Sequence, residues 1–208
     1  MKEIVLDHPM IRHKISILRN EKTSTKEFRE LISEIAMVLC YEALKDAKEE
    51  TYDVKTPIME TKGKRVNEDN YAFVPILRAG MGMVDGVLRV MPNAKIGHIG
   101  LYRNEETLEP VRYYCKLPKN VKKKQVILLD PMLATGGSGS AAITMLKQDG
   151  VKDIKFLSII AAPQGIKKIK KDHPDVQIYC AQVDDKLNDV GYIMPGLGDA
   201  GDRIYGTK

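Results

Sequence analysis

Three apolar stretches of this chain each run into a glycine-containing loop or a helical pattern, at 71–77 then 81–91, 126–129 then 138–147, and 154–162 then 166–171. Residues 95–102 and 176–181 read as further strands. Strands that alternate with helices imply right-handed crossovers, which predict an α/β fold with a mostly parallel central sheet flanked by helices. Ligands in such folds gather at the carboxyl ends of the strands. Ahead of these units, Ser24 and Glu27 make a capping box, and Phe28, Leu31, Ile32, Ile35, Val38 and Leu39 recur at helical spacing. An amphipathic helix to about Lys48 is therefore expected. Residues 51–61 shift toward alternation, with Lys62, Gly63 and Lys64 as a turn, so a hairpin arm should lead into the next strand. Pro75 inside an apparent buried strand signals an edge strand or a local departure from regular pairing.

A chain of 208 residues is expected to form one domain, 1–208, that buries roughly 70% of its unfolded surface. It then needs no disulfide or structural metal. Cys40, Cys115 and Cys180 are odd in number and far apart, which suits reduced thiols, and the four histidines share no ligand spacing for zinc. The longest stretch without a charge, 131–146, is interrupted by three glycines and is shorter than the roughly 20 residues a bilayer demands. With no apolar leader segment after Met1, the expected location is the cytoplasm. The net charge of +5 suits anionic ligands but falls short of the concentrated charge of a dedicated nucleic-acid binder.

The segment 126–140 is the most informative. A short apolar strand ends in Asp130, and a loop rich in Thr, Gly and Ser then opens a helix. Glycines and small hydroxyl residues let successive N–H groups close around a phosphate at a helix N-terminus, where Thr135 and Ser138 can add hydroxyl donors. Pro131 disfavours helix at the residue before it, so Asp130 should be held extended, its carboxylate open to ribose hydroxyls. A Walker A loop is excluded by the missing lysine. Gly137 to Ala142 does fit G-x-G-x-x-A, but the following strand brings no acid for an adenosine ribose. A second strand-end loop, 74–83, places Arg78 where it can hold another anion. The charged run 102–112 reads as a flap, and 191–206 carries five glycines yet keeps Ile193, Leu197 and Ile204 as apolar anchors. Glycines there let the backbone approach a flat ligand and offer N–H and C=O groups to a nucleobase.

With these residues in view, the chain is identified as a member of the uracil phosphoribosyltransferase family over essentially its whole length. Asp130, Pro131, Met132, Leu133, Ala134, Thr135, Gly136, Gly137 and Ser138 resemble the family's phosphoribosyl-diphosphate loop. Residues 74–80 resemble its diphosphate loop, 103–111 its flap, and 191–208 its C-terminal hood over uracil. The resemblance implies that uracil and 5-phospho-α-D-ribose 1-diphosphate (PRPP) give UMP and diphosphate. By the same resemblance Arg78 and Arg103 touch the diphosphate-bearing substrate, and Ile193, Gly198, Asp199 and Ala200 touch the base. Asp199 also faces PRPP, and Asp130, Arg78, Arg103 and Asp199 form the catalytic set. Mg²⁺ is expected to arrive on the diphosphate, with no dedicated metal site on the protein. A homo-oligomer of two or more subunits is implied, and GTP enters as an activator because some relatives respond to it. Two departures stand out: Pro131 follows Asp130 where the wider superfamily has a second acid, as in the uracil branch, and Gln164 stands where many relatives carry Glu. The alternative is an RNA-binding regulator on the same fold, using Lys122, Lys123 and Lys124 with Lys167, Lys168, Lys170 and Lys171. Against it, the first set reads as a solvated loop and the second as the polar face of an amphipathic helix.

Overall fold

The computed structural model describes residues 3–103 and 110–207. After β1 (Glu3–Val5) come two helices, α1 (Pro9–Arg19) and α2 (Thr25–Ala43), and an antiparallel hairpin of β2 (Glu49–Lys55) and β3 (Glu60–Val66). The expected alternation follows. β4 (Tyr71–Leu77) leads to α3 (Val84–Val90), then β5 (Lys95–Ile96), β6 (His98–Arg103) and β7 (Pro110–Lys116). β8 (Gln125–Leu129) and the short β9 (Met132–Leu133) lead to α4 (Gly137–Gln148), and β10 (Asp153–Ala161) leads to α5 (Pro163–Asp172). The chain closes with β11 (Gln177–Val183), β12 (Lys186–Leu187), β13 (Ile193–Met194) and α6 (Ala200–Tyr205).

The central sheet runs β1, β11, β10, β8, β4, β6, β7, and each of these pairings except β6 with β7 is parallel. The central strands β4 and β8 are apolar almost throughout because both faces are covered. In β8, Ile127 and Leu129 pack with α2 residues such as Ile35 and Leu39, while Val126 and Leu128 pack with Ile143 and Leu146 of α4 and Ile169 of α5. Successive residues thus feed opposite cores, as a period of two requires.

Four readings need adjustment. The second helix stops at Ala43, short of Lys48, because buried Lys155 on β10 donates its ammonium to the Ala43 carbonyl (2.6 Å) and pairs with Asp46 (2.5 Å). The arm turns at 56–59, and Lys62, Gly63 and Lys64 lie within β3. Thr56 Oγ1 accepts the N–H groups of Ile58 and Met59, and Pro57 presets the bend. Of the two readings of Pro75, the local departure from regular pairing holds and the edge strand does not: central β4 pairs Pro75 with Leu129 of β8 on one side, and on the other Pro75 falls between β5, which pairs Ala72 and Phe73, and β6, which pairs Ile76 and Leu77. The missing N–H therefore faces the break between those two strands. Helix α1 was not legible as an element, although Pro9 at its first turn, the His8 cap on Met10 N–H (3.2 Å) and the spacing of Ile11, Ile15 and Leu18 all mark it. No described helix is long and apolar enough to cross a membrane.

Candidate active site

The loop after β8 is shaped by the neighbouring strand β10. Asp130 N–H donates to Leu157 on β10 (3.2 Å), and the Pro131 carbonyl accepts from Ile159 and Ile160, so the chain is fixed on both sides of the acid. Asp130 is half-buried with Met132 N–H on its Oδ1 (3.3 Å), and burial pushes its carboxyl up to about 7, only partly offset by that bond. Beyond it, Gly136 takes φ +82° before α4 begins. A Cβ there would come within 2.9 Å of the Gly165 carbonyl, and one at Gly165 within 2.5 Å of the Ala134 carbonyl. The phosphate loop and the start of α5 therefore touch backbone to backbone. Thr135 and Ser138 stand exposed at the helix start, whose first turn carries no acid to oppose an anion.

The C-terminal segment returns to this loop. β12 and β13 form a small hairpin closed by Asn188, whose Oδ1 accepts from Val190 and Tyr192, and α6 starts at Asp199, whose Oδ1 accepts the Asp202 N–H at 2.8 Å. A cavity of about 450 Å³ opens between the two segments. Met132, Ala134, Thr135, Gly137 and Ser138 line one wall, and Ile193, Gly198, Asp199 and Ala200 the other. The residues singled out for sugar phosphate and for base, some 60 positions apart in sequence, thus share one space. Ile193 is itself buried in the core, so what it can offer a ligand is mainly backbone. Val190, Gly191 and Tyr192 also line the cavity; Gly191 and Tyr192 open the expected hood segment, and Val190, just before it, had only the turn composition of 188–191 as a signal.

Other expected residues sit differently. Pro131, Leu133 and Gly136 are buried and do not line the cavity; their part is to hold the loop. Arg78 lies beside the hood helix rather than in the cavity wall. Its guanidinium is 3.6 Å from Asp202 and 5.8 Å from the Tyr205 ring centre, and its carbonyl accepts the Tyr205 hydroxyl at 2.9 Å. The side chain is more than half exposed and free to turn toward an anion. The Arg103 side chain and 104–109, most of the expected flap, lie outside the described residues; β6 and β7 flank them as an antiparallel pair. A wider hollow of about 740 Å³ near Tyr113 and Lys122 is built from β7 and the amino side of β8, away from the strand ends that carry the loops.

Comparison with known proteins agrees with this arrangement. The uracil phosphoribosyltransferase family profile matches residues 5–207. A uracil phosphoribosyltransferase of Finegoldia magna is 58% identical over 207 residues, covering 100% of this chain and 99% of that protein. One from Clostridium botulinum is 56% identical with the same coverage. A solved structure from Aquifex aeolicus superposes with TM-score 0.93 at 46% identity, covering 100% of this chain and 99% of its own. At 11% identity, adenine phosphoribosyl transferase of Trypanosoma brucei shares the fold alone, with TM-score 0.60 over 87% of this chain and 83% of its own. A strand-end phosphate loop facing a C-terminal hood, on a chain matched end to end by these relatives, places this chain in the uracil phosphoribosyltransferase family.

Proposed function

We propose that this cavity is where the chain performs the family's reaction, transferring the 5-phosphoribosyl group of PRPP to uracil to give UMP and diphosphate. The observation that carries the reading is the shared cavity, in which a helix N-terminus suited to a phosphate faces a glycine-rich backbone suited to a flat ring. The 5-phosphate sits on residues 134–138, with N–H donors from the start of α4 and hydroxyls from Thr135 and Ser138. Backbone groups of Ile193, Gly198 and Ala200 read the edge of the base. As the bond from the ring nitrogen to C1 of the ribose forms and the C1–O bond to diphosphate breaks, positive charge builds on the sugar and negative charge on the leaving group. Asp130 orients the ribose through its hydroxyls, and Arg78 with Arg103 offsets the diphosphate charge. Asp199, held by the Asp202 N–H, accepts the ring proton and passes it to solvent. Among the described residues no three ligating side chains cluster, and none places a cation beside half-buried Asp130. That environment fits one divalent ion arriving on the diphosphate, with Asp130 as the loop's carboxylate ligand; when bound, Mg²⁺ neutralises the leaving group.

The direct test is diphosphate release from PRPP with Mg²⁺, comparing uracil, orotate, hypoxanthine and no base. UMP formed in step with diphosphate, with uracil alone, is the expected result; release with orotate or hypoxanthine instead overturns the base assignment. Arg78→Ala should raise the KM for PRPP about tenfold, the scale of one lost charge-assisted contact, and leave the KM for uracil within about twofold. Equal KM values for wild type and variant would remove Arg78 from the site. At the tip of the arm Ile58 is 92% exposed and Met59 65%, so the homo-oligomer expected for this chain would bury apolar surface there. Sedimentation should find a dimer or larger; a monomer at micromolar concentration counts against it. Against the RNA-binding alternative, Lys124, Lys168 and Lys170 are engaged by Asp69, Asp172 and Glu3.

A further inference from the structure

The turn between the two halves of the hood wall is held by a part-buried ion pair that does not line the cavity. Asp184, 3% exposed at the end of β11, accepts both arms of the Arg19 guanidinium, at 2.7 and 2.5 Å. The same carboxylate accepts the Gly196 N–H at 2.8 Å, and Arg19 donates to the Gly196 carbonyl, also at 2.8 Å. One ion pair therefore holds both backbone groups of a single residue. Gly196 lies between Ile193, on one edge of the cavity wall, and Gly198, Asp199 and Ala200 on the other. Its φ of +64° turns the chain so tightly that a Cβ would strike the Ile193 carbonyl. Leu197, the next residue, is tied to the same end of α1: Arg203 bonds the carbonyls of Leu197 (2.7 Å), Leu18 (2.8 Å) and Asn20 (2.6 Å).

A buried ion pair contributes little net stability once its desolvation is counted, so its value lies in the geometry it imposes. The two hydrogen bonds that meet at Gly196, one on its N–H and one on its carbonyl, fix the peptide units on both sides of it. We propose that Arg19 and Asp184 are positioning residues for base recognition, setting the spacing between Ile193 and Gly198–Ala200. The proposal rests on the reading that this wall holds uracil. Lysine at position 19 keeps the charge but is a compact ammonium without the planar fork, and cannot span both Asp184 oxygens and the Gly196 carbonyl in this geometry.

The test compares Arg19→Lys, Asp184→Asn and, as a control in the wall itself, Ala200→Leu, measuring KM for each substrate and kcat on protein whose folding is checked by thermal melting. The expected result for Arg19→Lys is a rise of about tenfold in the KM for uracil with the KM for PRPP within about twofold, because a misplaced contact weakens only the ligand it serves. Asp184→Asn should move the uracil KM in the same direction and further. A purely structural pair would instead lower melting temperature and active fraction with both KM values unchanged, and that outcome overturns the proposal. If Ala200→Leu moves the uracil KM while Arg19→Lys does not, the positioning role fails and the base site stands. If none of the three moves it, the wall is not the base site and the proposal falls with that reading. Should Asp184→Asn not fold, Arg19→Lys decides alone.

Discussion

Asp130→Asn is expected to reduce kcat by about 10²–10³, the scale of losing one preorganised electrostatic group, while making the folded protein harder to melt at pH 8. The two effects share a cause. Asp130 is pinned at the end of β8 by the Leu157 carbonyl on its N–H, and its half-buried carboxyl has one backbone donor and, among the described residues, no cation beside it. The unfolded chain loses this proton near 3.8 and the folded one near 7. Ionised Asp130 therefore opposes folding increasingly as pH climbs from 4 to 7, and by a constant amount above that. At 1.36 kcal/mol per unit the penalty is about 2–4 kcal/mol, the lower end allowing for water at a half-buried group. Asparagine keeps the shape without the charge, so its stability gain should be absent at pH 4 and full at pH 8, where it adds about 5–12 °C to Tm. Wild-type kcat/KM for PRPP should rise through pH 7 as the free enzyme's carboxylate ionises, a limb missing from the variant. Wild-type turnover in the variant would refute the catalytic role; an equal Tm difference at pH 4 and pH 8 would refute the buried charge.

The sequence disclosed this residue because its neighbours have unusual chemistry: an acid followed by proline, then small residues and glycines, after a run of apolar residues. Alternation of strands and helices was equally legible, since Val126 to Leu129 can be a continuous apolar run, and Ile154 to Ala161 a run broken only by Lys155 and Ser158, only if both faces are covered. Local signals failed where the determining partner is distant. The end of α2 depends on Lys155, 112 residues from the carbonyl it caps, and the hood depends on Arg19, 165 residues from Asp184. Neither pair leaves a pattern at its own position. The short α6 was missed for a different reason: it has six residues with a glycine among them, and forms because Asp199 caps it and Ile204 is buried under it. The turn of the arm was misplaced because Lys-Gly-Lys resembles a loop, whereas Thr56 and Pro57 supply the actual bend.

Gly165→Ala is the second substitution with a large expected effect, though residue 165 does not line the cavity. The added methyl would sit 2.5 Å from the Ala134 carbonyl oxygen and 2.7 Å from that of Leu133. Both obstacles are backbone. The Leu133 carbonyl already accepts the Ala162 N–H at 2.9 Å, and Gly136 closes on the Gly165 carbonyl from the other side. The helix start and the phosphate loop must then move apart, and Ala134, Thr135 and Gly137 move with the loop. Overpacking of this kind costs about 1–3 kcal/mol of stability. The kinetic cost should be larger, since a displacement near 1 Å of groups that orient a substrate can cost about 10²-fold. The KM for PRPP should rise about 10- to 100-fold, with the KM for uracil within about threefold because Arg19 and Arg203 hold the hood wall against the end of α1. Gln164→Glu is the matched comparison: residue 164 is exposed one position away, so adding a carboxylate there should shift either KM by less than about threefold. Initial rates with each substrate varied in turn separate these outcomes. A Gly165→Ala protein with the wild-type KM for PRPP would mean that the loop can yield without losing its hold on phosphate, and the backbone contact with α5 would then be packing alone.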